Sequence, residues 1–488
     1  MIPDVKVLSR RRFLAGAGMA AAAAVLPPCS LAAGADEKKG RPNFVLIFAD
    51  DLGWGDLGCY GNRQIKTPSL DGLAAKGTLF TQFYVNGSVC SPSRTAIMTA
   101  QFPARHKVHG HFATDQQNAA RGMPNWLDPK VHTVARLLQQ AGYATGHFGK
   151  WHLGSGQGAP SPSDYGIDEH CTVNSSGPQL EGQKDPYFRA NSTAQIVDKT
   201  IEFIQSNRDR PFYVNVWTLL PHATLHPTDE QMKPYQRYAP AGVPYKGAKQ
   251  IYYASVSEMD RQIGRLIRRI DELGLAEKTV IAFSSDNGPE DFDIGNAVHS
   301  GIGNTGPFRG RKRSIYEGGV RLPFIVRWPG RVPAGRVDDT SIVAAVDWLP
   351  TVCSLAGVRL PDGLNPEGQD ISQAILGKPI QRTKPLLWQW RFRIFGDMVH
   401  KSPMLAIREG KWKLLMNPDR SRIELYDIPA DPTELDNVAA EHPDVVDRLS
   451  QTLLKWHDSL PAGPVEDVAG SNAYPWPKGQ QGGDGDRR

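Results

Sequence analysis

The sequence predicts an α/β fold in which a large, mostly parallel sheet is flanked by helices. Two continuous apolar runs of strand length, residues 44–49 and 279–285, are typical of strands buried on both faces. Residues 252–273 place apolar side chains along one helical stripe just ahead of the second run. Because strands that alternate with helices form parallel sheets, these three segments indicate the fold class.

The other predicted elements continue this alternation along the chain. Helices are predicted near residues 70–76, 92–99, 132–140, 194–204 and 341–355, and strands near residues 80–85, 143–147, 211–217 and 324–327. Glycine and proline punctuate their ends. We therefore assign residues 41–375 to one large domain.

A second, smaller unit is predicted beyond a polar segment rich in Gly and Pro at residues 365–384. Residues 404–415 form a predicted hairpin that turns at Glu409-Gly410, and a strand and a closing helix follow at 423–427 and 445–460. This order predicts an antiparallel α+β subdomain over residues 385–460. Residues 461–488 are rich in Pro and Gly and are predicted to be poorly ordered.

Composition excludes several classes of protein. The chain has 488 residues, of which 40% are hydrophobic and 22% charged, and this indicates a globular protein. The formal net charge is +5, and a net +3 of it lies in the first 33 residues. The remaining charge of about +2 predicts neither nucleic acid nor an anionic membrane surface as a partner.

The N-terminus has the pattern of a twin-arginine export signal. Arg10-Arg11-Arg12 precedes an apolar run of small residues at 15–26, and Ala33 and Ala35 offer a cleavage site. A membrane anchor is the alternative, but the run is shorter than the ~20 residues needed to cross a bilayer. We predict a signal peptide over residues 1–35, the twin-arginine export machinery as a partner, no stable membrane span, and a periplasmic or extracellular location.

Two pairs of polar side chains follow the two buried strands. Asp50 and Asp51 end the first run, and Asp286 and Asn287 end the second. Because the carboxyl ends of parallel strands meet at one edge of the sheet, these four side chains are expected to lie together. Ligation by oxygen alone favours Ca²⁺, with Mg²⁺ as the alternative.

Cys90 lies at the mouth of a predicted helix, with Pro92 at its first helical position. A helix N-terminus favours an anionic ligand or a thiol of lowered pKa, and Arg94 adds a positive charge one turn in. The same pattern also fits a small buried cysteine that only packs.

Two basic loops are further candidates for this site. Lys150 and His152 stand two residues apart and can share one face of an extended loop. Residues 306–312 form a basic loop that ends in Lys312. A basic loop opposite an acidic edge makes a cleft of mixed charge, which suits a small anion.

Four motifs, in this order, resemble the sulfatase family of the alkaline-phosphatase superfamily. They are Cys90-Ser91-Pro92-Ser93-Arg94, Gly149-Lys150-Trp151-His152-Leu153-Gly154, Asp286-Asn287-Gly288 and Glu317-Gly318-Gly319-Val320-Arg321, with Asp50-Asp51 ahead of them. The resemblance runs over residues 43–460 and includes exported bacterial arylsulfatases and N-acetylgalactosamine-6-sulfatase-like enzymes. It implies an alkaline-phosphatase-like fold and a sulfuric ester hydrolase that acts on a sulfated carbohydrate.

The resemblance implies how this site is completed. Cys90 would be oxidised to formylglycine by a separate formylglycine-generating maturation enzyme, and the hydrated aldehyde would be the nucleophile. One Ca²⁺ would be held by Asp50, Asp51, Asp286 and Asn287 together with the residue at position 90. Asp286 would also accept a proton.

The resemblance also implies roles for five basic residues around the sulfate. Arg94 and Lys150 would hold the formylglycine oxygens, His152 would act in regeneration, and Lys312 with His222 would grip the sulfate and protonate the leaving alcohol. His226, four residues after His222, is the alternative for the last role.

The chain departs from the family pattern at two places. Gln101 stands where Gly is common after the nucleophile helix, and Arg311 and Arg313 flank Lys312 where the family has small residues. Together with Arg309, these arginines would suit a substrate that carries further negative charge, such as a fragment of a sulfated polysaccharide.

Two rival functions stay open at this point. One is a phosphate or phosphonate monoester hydrolase of the same superfamily, which would share the metal edge. The other is a secreted carbohydrate-binding protein that has kept the fold without catalysis.

Overall fold

The computed structural model describes residues 40–242, 246–297 and 299–473. The predicted signal peptide, residues 1–35, lies outside them. From Arg41 onwards the chain forms one compact unit, which contains two sheets. The division into a catalytic domain and a C-terminal subdomain stays a prediction. Across the described residues, we find no helix with the length and apolar character that a membrane crossing requires.

The bounds of the described strands and helices are as follows. The strands are β1 (Asn43–Asp50), β2 (Thr78–Tyr84), β3 (Ala144–Lys150), β4 (Glu169–Val173), β5 (Phe212–Pro221), β6 (Thr279–Ser285), β7 (Arg321–Arg327), β8 (Arg336–Asp338), β9 (Val343–Ala344), β10 (Leu386–Gln389), β11 (Leu405–Glu409), β12 (Trp412–Met416) and β13 (Glu424–Asp427). The helices are α1 (Pro68–Ala75), α2 (Cys90–Thr99), α3 (Asp115–Ala120), α4 (Val134–Gln140), α5 (Phe188–Ser206), α6 (Asp229–Met232), α7 (Ala248–Glu272), α8 (Glu317–Val320), α9 (Trp348–Ala356), α10 (Ser372–Ile375) and α11 (Pro443–Asp458).

The larger sheet has the strand order β4-β3-β5-β1-β6-β7-β2-β8, and β9 also pairs with β2. The five strands from β4 to β6 are parallel, whereas β7 runs antiparallel to both of its neighbours. The predicted mostly parallel sheet flanked by helices is therefore confirmed. Strands β1 and β6, identified first from the sequence, are direct neighbours with Ala49 opposite Ser285.

The central strand β1 is buried along its whole length because helices cover both faces of the sheet. Side chains of Phe44, Leu46 and Phe48 join a core with α2, α4 and α9. The alternate residues of β1 pack in a second core with α1, α5 and α7. The alternation follows from the two-residue period of a strand, which sends successive side chains to opposite faces.

The smaller sheet is antiparallel, with the order β10-β11-β12-β13, and it shares a core with the first face of the larger sheet. Helix α11 packs against it through Leu449 and Leu453. The first part of the tail that was predicted to be poorly ordered forms hydrogen bonds with the rest of the protein. Glu466 donates its backbone N–H to Arg391, and Arg422 donates to the carbonyl of Gly470. Residues 474–488 lie outside the described residues.

Two sequence predictions of local structure need correction, and some short strands were missed. Helix α2 begins at Cys90, so Pro92 is its third residue and not its first. The predicted helix 341–355 is shorter than expected, because residues 343–344 pair with β2 as a parallel strand and helical structure begins only at Ala345. The carboxylate of Asp347 accepts the backbone N–H of Ala344, which holds the change from strand to helix in place. Strands β4 and β10 were not predicted; both are short and supply one strand at a sheet edge.

Candidate active site

The predicted acidic edge exists where β1 and β6 end. Asp50 is the last residue of β1, and Asp286 is the first residue after β6. All four polar side chains of this edge are almost completely buried. Asp51 has a φ of 66°, a left-handed conformation that is uncommon for a residue other than glycine. In that conformation its N–H donates to Asp286 Oδ1 at 3.1 Å, which joins the two strand ends.

Asn287 directs an unpaired oxygen at this edge. Its amide Nδ2 donates to Asp51 Oδ1 at 2.6 Å, and its Oδ1 is buried without a hydrogen-bond partner among the described residues. A buried acceptor left without a donor is costly unless a ligand satisfies it. The oxygens of Asp50, Asp51, Asp286 and Asn287 therefore fit the donor set that Ca²⁺ or Mg²⁺ prefers.

Cys90 lies against the same carboxylates. Its Sγ is within 4.8 Å of an oxygen from Asp50 and of one from Asp286. The preceding residue, Val89, is extended, and Cys90 opens helix α2, so the side chain sits at the positive end of the helix. Only 2% of Cys90 is exposed. The thiol is thus both buried and placed beside a candidate metal site, and packing alone does not account for that position.

Each acid of the edge has one cation as its nearest partner. The pairs are Lys150 Nζ with Asp50 at 2.7 Å, Lys312 Nζ with Asp51 at 2.7 Å, and Arg94 Nη2 with Asp286 at 2.6 Å. The guanidinium of Arg94 also stacks over Trp217, with 4.9 Å from its carbon to the ring centroid. The sequence-predicted Lys150, Lys312 and Arg94 are therefore brought together as a ring of positive charge around the acidic edge.

The pKa values of the acids reflect burial in competition with these cations. Burial raises the pKa of Asp286 well above its usual value despite the Arg94 charge, and it also raises that of Asp51. At Asp50 burial is outweighed by Lys150 and the other nearby cations, and the pKa falls well below its usual value. A divalent cation between these groups would favour the ionised form of all three.

The structure brings His222 to the site and leaves His226 outside it. Nε2 of His222 is 3.8 Å from Asp51 Oδ2. Its Nδ1 lies 2.6 Å from the carbonyl of Ala223, and since a carbonyl only accepts, Nδ1 carries the hydrogen. His226 is exposed and its ring packs on Tyr187, with 4.6 Å between centroids. The geometry therefore favours His222.

His152 is held with one nitrogen free. Its Nε2 donates to the carbonyl of Phe112 at 3.0 Å, so Nδ1 is the unprotonated nitrogen. That Nδ1 is buried and has no partner within the described part of the chain. Burial, reinforced by the Lys150 and Arg94 charges, lowers the pKa of His152 well below its usual value, and the ring is neutral. It can accept a proton but not donate one from Nδ1.

Two residues near the site, Glu290 and His111, were missed by sequence reasoning. Glu290 is buried, 3.4 Å from Lys312 Nζ, and it also pairs with Arg313. The ring of His111 lies 6.1 Å from that of His152, between centroids. Glu290 follows Asn287 by three residues, and His111 belongs to a His-Gly-His sequence just beyond α2. These sequence positions could have suggested both residues as candidates, but they do not predict which side chains the two residues contact.

The expectation that Arg309 and Arg311 face an anionic substrate is not supported. Arg309 donates to Glu424 at 3.1 Å and stacks on Tyr316. Arg311 donates to three backbone carbonyls, those of residues 290, 301 and 303. Both guanidinium groups are occupied in holding loops together. Arg313 pairs with Glu290 but stays half-buried.

Known protein families and individual proteins are similar to this chain over most of its length. The family model described as Sulfatase matches residues 42–358, and the model described as N-sulphoglucosamine sulphohydrolase, C-terminal, matches residues 303–459. An N-acetylgalactosamine-6-O-sulfatase of Bacteroides thetaiotaomicron is 28% identical over 88% of this chain and 97% of its own length. Human arylsulfatase A is 30% identical over 85% of this chain and 87% of its own.

A solved structure has the same fold. The protein named Ps i-CgsB, in complex with k-i-k-neocarrahexaose, is 26% identical in sequence, with a TM-score of 0.72. The alignment covers 88% of this chain and 96% of the other.

Proposed function

Because this chain belongs to the sulfatase family of sulfuric ester hydrolases, we propose that it removes sulfate from a sulfated carbohydrate with a formylglycine made from Cys90 and one divalent cation. The observation that carries the proposal is the position of Cys90 Sγ, within 4.8 Å of oxygens from Asp50 and Asp286. Relatives named as N-acetylgalactosamine-6-sulfatases and a neighbour solved with a neocarrahexaose support the carbohydrate class.

The cation would be held by Asp50, Asp51, Asp286 and Asn287, with Ca²⁺ as the first choice. When bound there, it supplies positive charge that neutralises sulfate oxygens and acidifies a hydroxyl beside it. The unpaired Oδ1 of Asn287 and the three carboxylates support this assignment.

The hydrated aldehyde of formylglycine carries two hydroxyls on one carbon. One can attack sulfur and displace the alcohol, and loss of a proton from the other then lets sulfate leave as the aldehyde re-forms. Arg94 and Lys150 hold the oxygens at position 90 and the charge that develops on them. Both lie on the Cys90 side of the acidic edge through their pairs with Asp286 and Asp50. His152, with its bare Nδ1, is the acceptor of the hydroxyl proton.

Lys312 and His222 are the residues that we assign to the leaving group. Both approach Asp51 Oδ2, from 2.7 Å and 3.8 Å respectively. The His222 nitrogen that faces the acid is Nε2, because Nδ1 is engaged by a carbonyl. Both groups are placed to grip the sulfate. The Lys312 ammonium carries a proton for the departing alcohol, whereas His222 can donate one from Nε2 only when its ring is protonated, because Nδ1 holds the hydrogen of the neutral ring.

The burial of Cys90 bears on when it is modified. A maturation enzyme cannot reach a side chain that is 2% exposed in the folded protein, so conversion would precede folding. The twin-arginine route carries folded proteins. We propose that Cys90 is converted in the cytoplasm and that the folded protein is then exported to the periplasm or beyond.

Two measurements test the proposal. Mass spectrometry of the peptide that contains position 90 distinguishes an aldehyde from a thiol, and an unmodified thiol in active material would refute the formylglycine assignment. Release of sulfate from sulfated saccharides is then compared with release of phosphate from matched esters. Faster cleavage of phosphate or phosphonate esters would support the rival hydrolase, and turnover of neither would support a binding protein.

A further inference from the structure

Two arginines lie near one aromatic ring at the edge of the site. The guanidinium carbon of Arg313 is 5.1 Å from the centroid of Phe395, and that of Arg393 is 5.2 Å from it. Phe395 is half-buried and Arg393 is exposed. Phe395 and Arg393 come from the segment between β10 and β11, whereas Arg313 follows Lys312 in the larger sheet's loop.

Arg313 connects this ring to the sulfate grip. Glu290 is shared, since its carboxylate lies 3.4 Å from Lys312 Nζ and accepts from Arg313 Nη2 at 3.2 Å. The backbone N–H of Arg313 donates to the carbonyl of Ser88, two residues before Cys90, at 2.8 Å. Arg313 is therefore separated only by the shared Glu290 from Lys312, the group proposed to hold the sulfate.

A third arginine, Arg121, lies close enough for the charge of Arg313 to act on it. Arg121 donates to the carbonyl of His111, whose ring faces His152, and its guanidinium lies 5.9 Å from the centroid of Phe392. Burial lowers the pKa of Arg121, and the positive charge of Arg313 lowers it further against the opposing effect of Glu466. We call Arg121, Arg313, Arg393 and Phe395 the arginine rim.

The arginine rim lacks enough negative charge to balance it. Within the part of the chain that the structure describes, no carboxylate oxygen lies within 4.0 Å of the guanidinium nitrogens of Arg393 or Arg121. Glu466 acts on Arg121 only from a greater distance, and Glu290 is already shared by Lys312 and Arg313.

 The three guanidinium groups therefore leave a net positive charge beside the sulfate grip, which favours an anionic ligand.

A cavity of about 300 Å³ adjoins this charge. Arg121, Phe392 and Glu466 line it, together with Gln117 and Pro464. Its volume is at the lower end of the range for small-molecule sites, and its mixture of one aromatic face with polar groups suits a sugar ring. Arg393 adjoins the same wall, because its backbone N–H donates to Glu466 at 2.7 Å.

We propose that the arginine rim is a subsite for a second anionic group, a sulfate or a carboxylate, on the sugar next to the one that loses its sulfate. This inference rests on the proposed function, and it names the substrate class more closely as an oligosaccharide with at least two negative charges. Arg393 contributes charge from the exposed side, Arg313 from the sulfate side, and Phe395 holds both guanidinium groups in place.

The test uses two disaccharides that differ only in a second sulfate on the neighbouring ring. Arg393→Ala is the variant, because this side chain is exposed and its loss leaves the core intact. Arg208→Ala is the matched control. It removes the same charge from an exposed position before the first residue of β5, about 30 Å from the carboxyl end of that ten-residue strand.

Arg393→Ala should lower kcat/KM for the disulfated disaccharide about two- to five-fold, mainly through KM. The monosulfated disaccharide should change less than the disulfated one, and the difference should shrink at high ionic strength. Arg393→Lys should restore part of the loss, and Arg208→Ala should change neither substrate. An equal loss on both disaccharides, or no loss on either, overturns the proposal.

Binding separates this inference from the proposed function. Calorimetric titration of the disulfated disaccharide into Cys90→Ala, and into Cys90→Ala with Arg393→Ala, measures the subsite without turnover. A weaker affinity in the double variant supports the arginine rim even if no sulfate ester is hydrolysed. Equal affinities overturn it even if the enzyme proves to be an active sulfatase.

Discussion

Lys413 offers the clearest test of what holds the two sheets together. Its Nζ is 2.9 Å from Glu317 and 2.9 Å from Glu434, and all three side chains are fully buried. Glu317 lies in α8, beside the loop of Lys312, while Lys413 lies in β12 of the smaller sheet. The ion pairs therefore connect the second sheet to the segment that follows the active-site loop.

Lys413→Met should lower the free energy of unfolding by about 3–5 kcal/mol, because removing one member of a buried ion pair leaves charge without compensation. Glu317 keeps Arg321 at 3.2 Å and Arg408 at 3.6 Å, whereas Glu434 would keep only the backbone N–H of Glu317. Most of the loss should therefore arise from Glu434.

Denaturation by urea, followed by tryptophan fluorescence, measures the loss. Lys411→Met is the matched control, since Lys411 stands two residues away on the same hairpin but is exposed and pairs with Asp427. Exposed pairs contribute about 0.2–1 kcal/mol. Adding Glu434→Gln to Lys413→Met should recover part of the loss. If Lys413→Met costs no more than Lys411→Met, the buried network does not stabilise the fold as argued.

Four further outcomes follow from the structure. Burial raises the pKa of Glu434 to about 7 despite Lys413, whereas the usual pKa of a glutamate is 4.5. Between these two pH values the folded protein keeps a proton on Glu434 that the unfolded chain releases. Stability should fall between about pH 5 and 7, by up to about 3 kcal/mol, and Glu434→Gln should flatten this slope in melts across that range. Cys90→Ala should abolish sulfate release while circular dichroism and export stay normal; a loss of folding would return Cys90 to a packing role. His222→Gln should lower kcat at least about 100-fold, and His226→Gln should stay close to wild type; the reverse result would exchange their roles. Chelation of divalent cations should remove activity, and Ca²⁺ should restore it better than Mg²⁺; full activity after exhaustive chelation would contradict the metal assignment.

The acidic edge of the site could be predicted because its causes are local. An apolar run that is buried on both faces identifies a central strand, and the polar residues that follow it fall at the carboxyl edge of the sheet. Asp50, Asp51, Asp286 and Asn287 were found in this way, and β1 and β6 are indeed neighbours. The helix start at Cys90 was also local, although its first residue was misplaced by two positions.

Long-range pairing explains what sequence reasoning missed. Strand β9 exists only because β2 offers it an edge, so its two residues carry too little signal of their own. Arg309 bonds to the carboxylate of Glu424, and Arg311 bonds to backbone carbonyls. No pattern along the chain predicts either pairing. Phe395 lies in a segment without regular structure, and its contact with two arginines depends on how the second sheet packs.

The sequence by itself determined the central strands, the type of ligand at their ends and the identity of the basic residues that surround them. Only the tertiary structure decided which charge meets which. Lys312 and Asp51 are 261 residues apart, yet their side chains form a buried pair at 2.7 Å. A buried charge requires a partner, and that requirement is satisfied through space, by whichever residue the topology brings close.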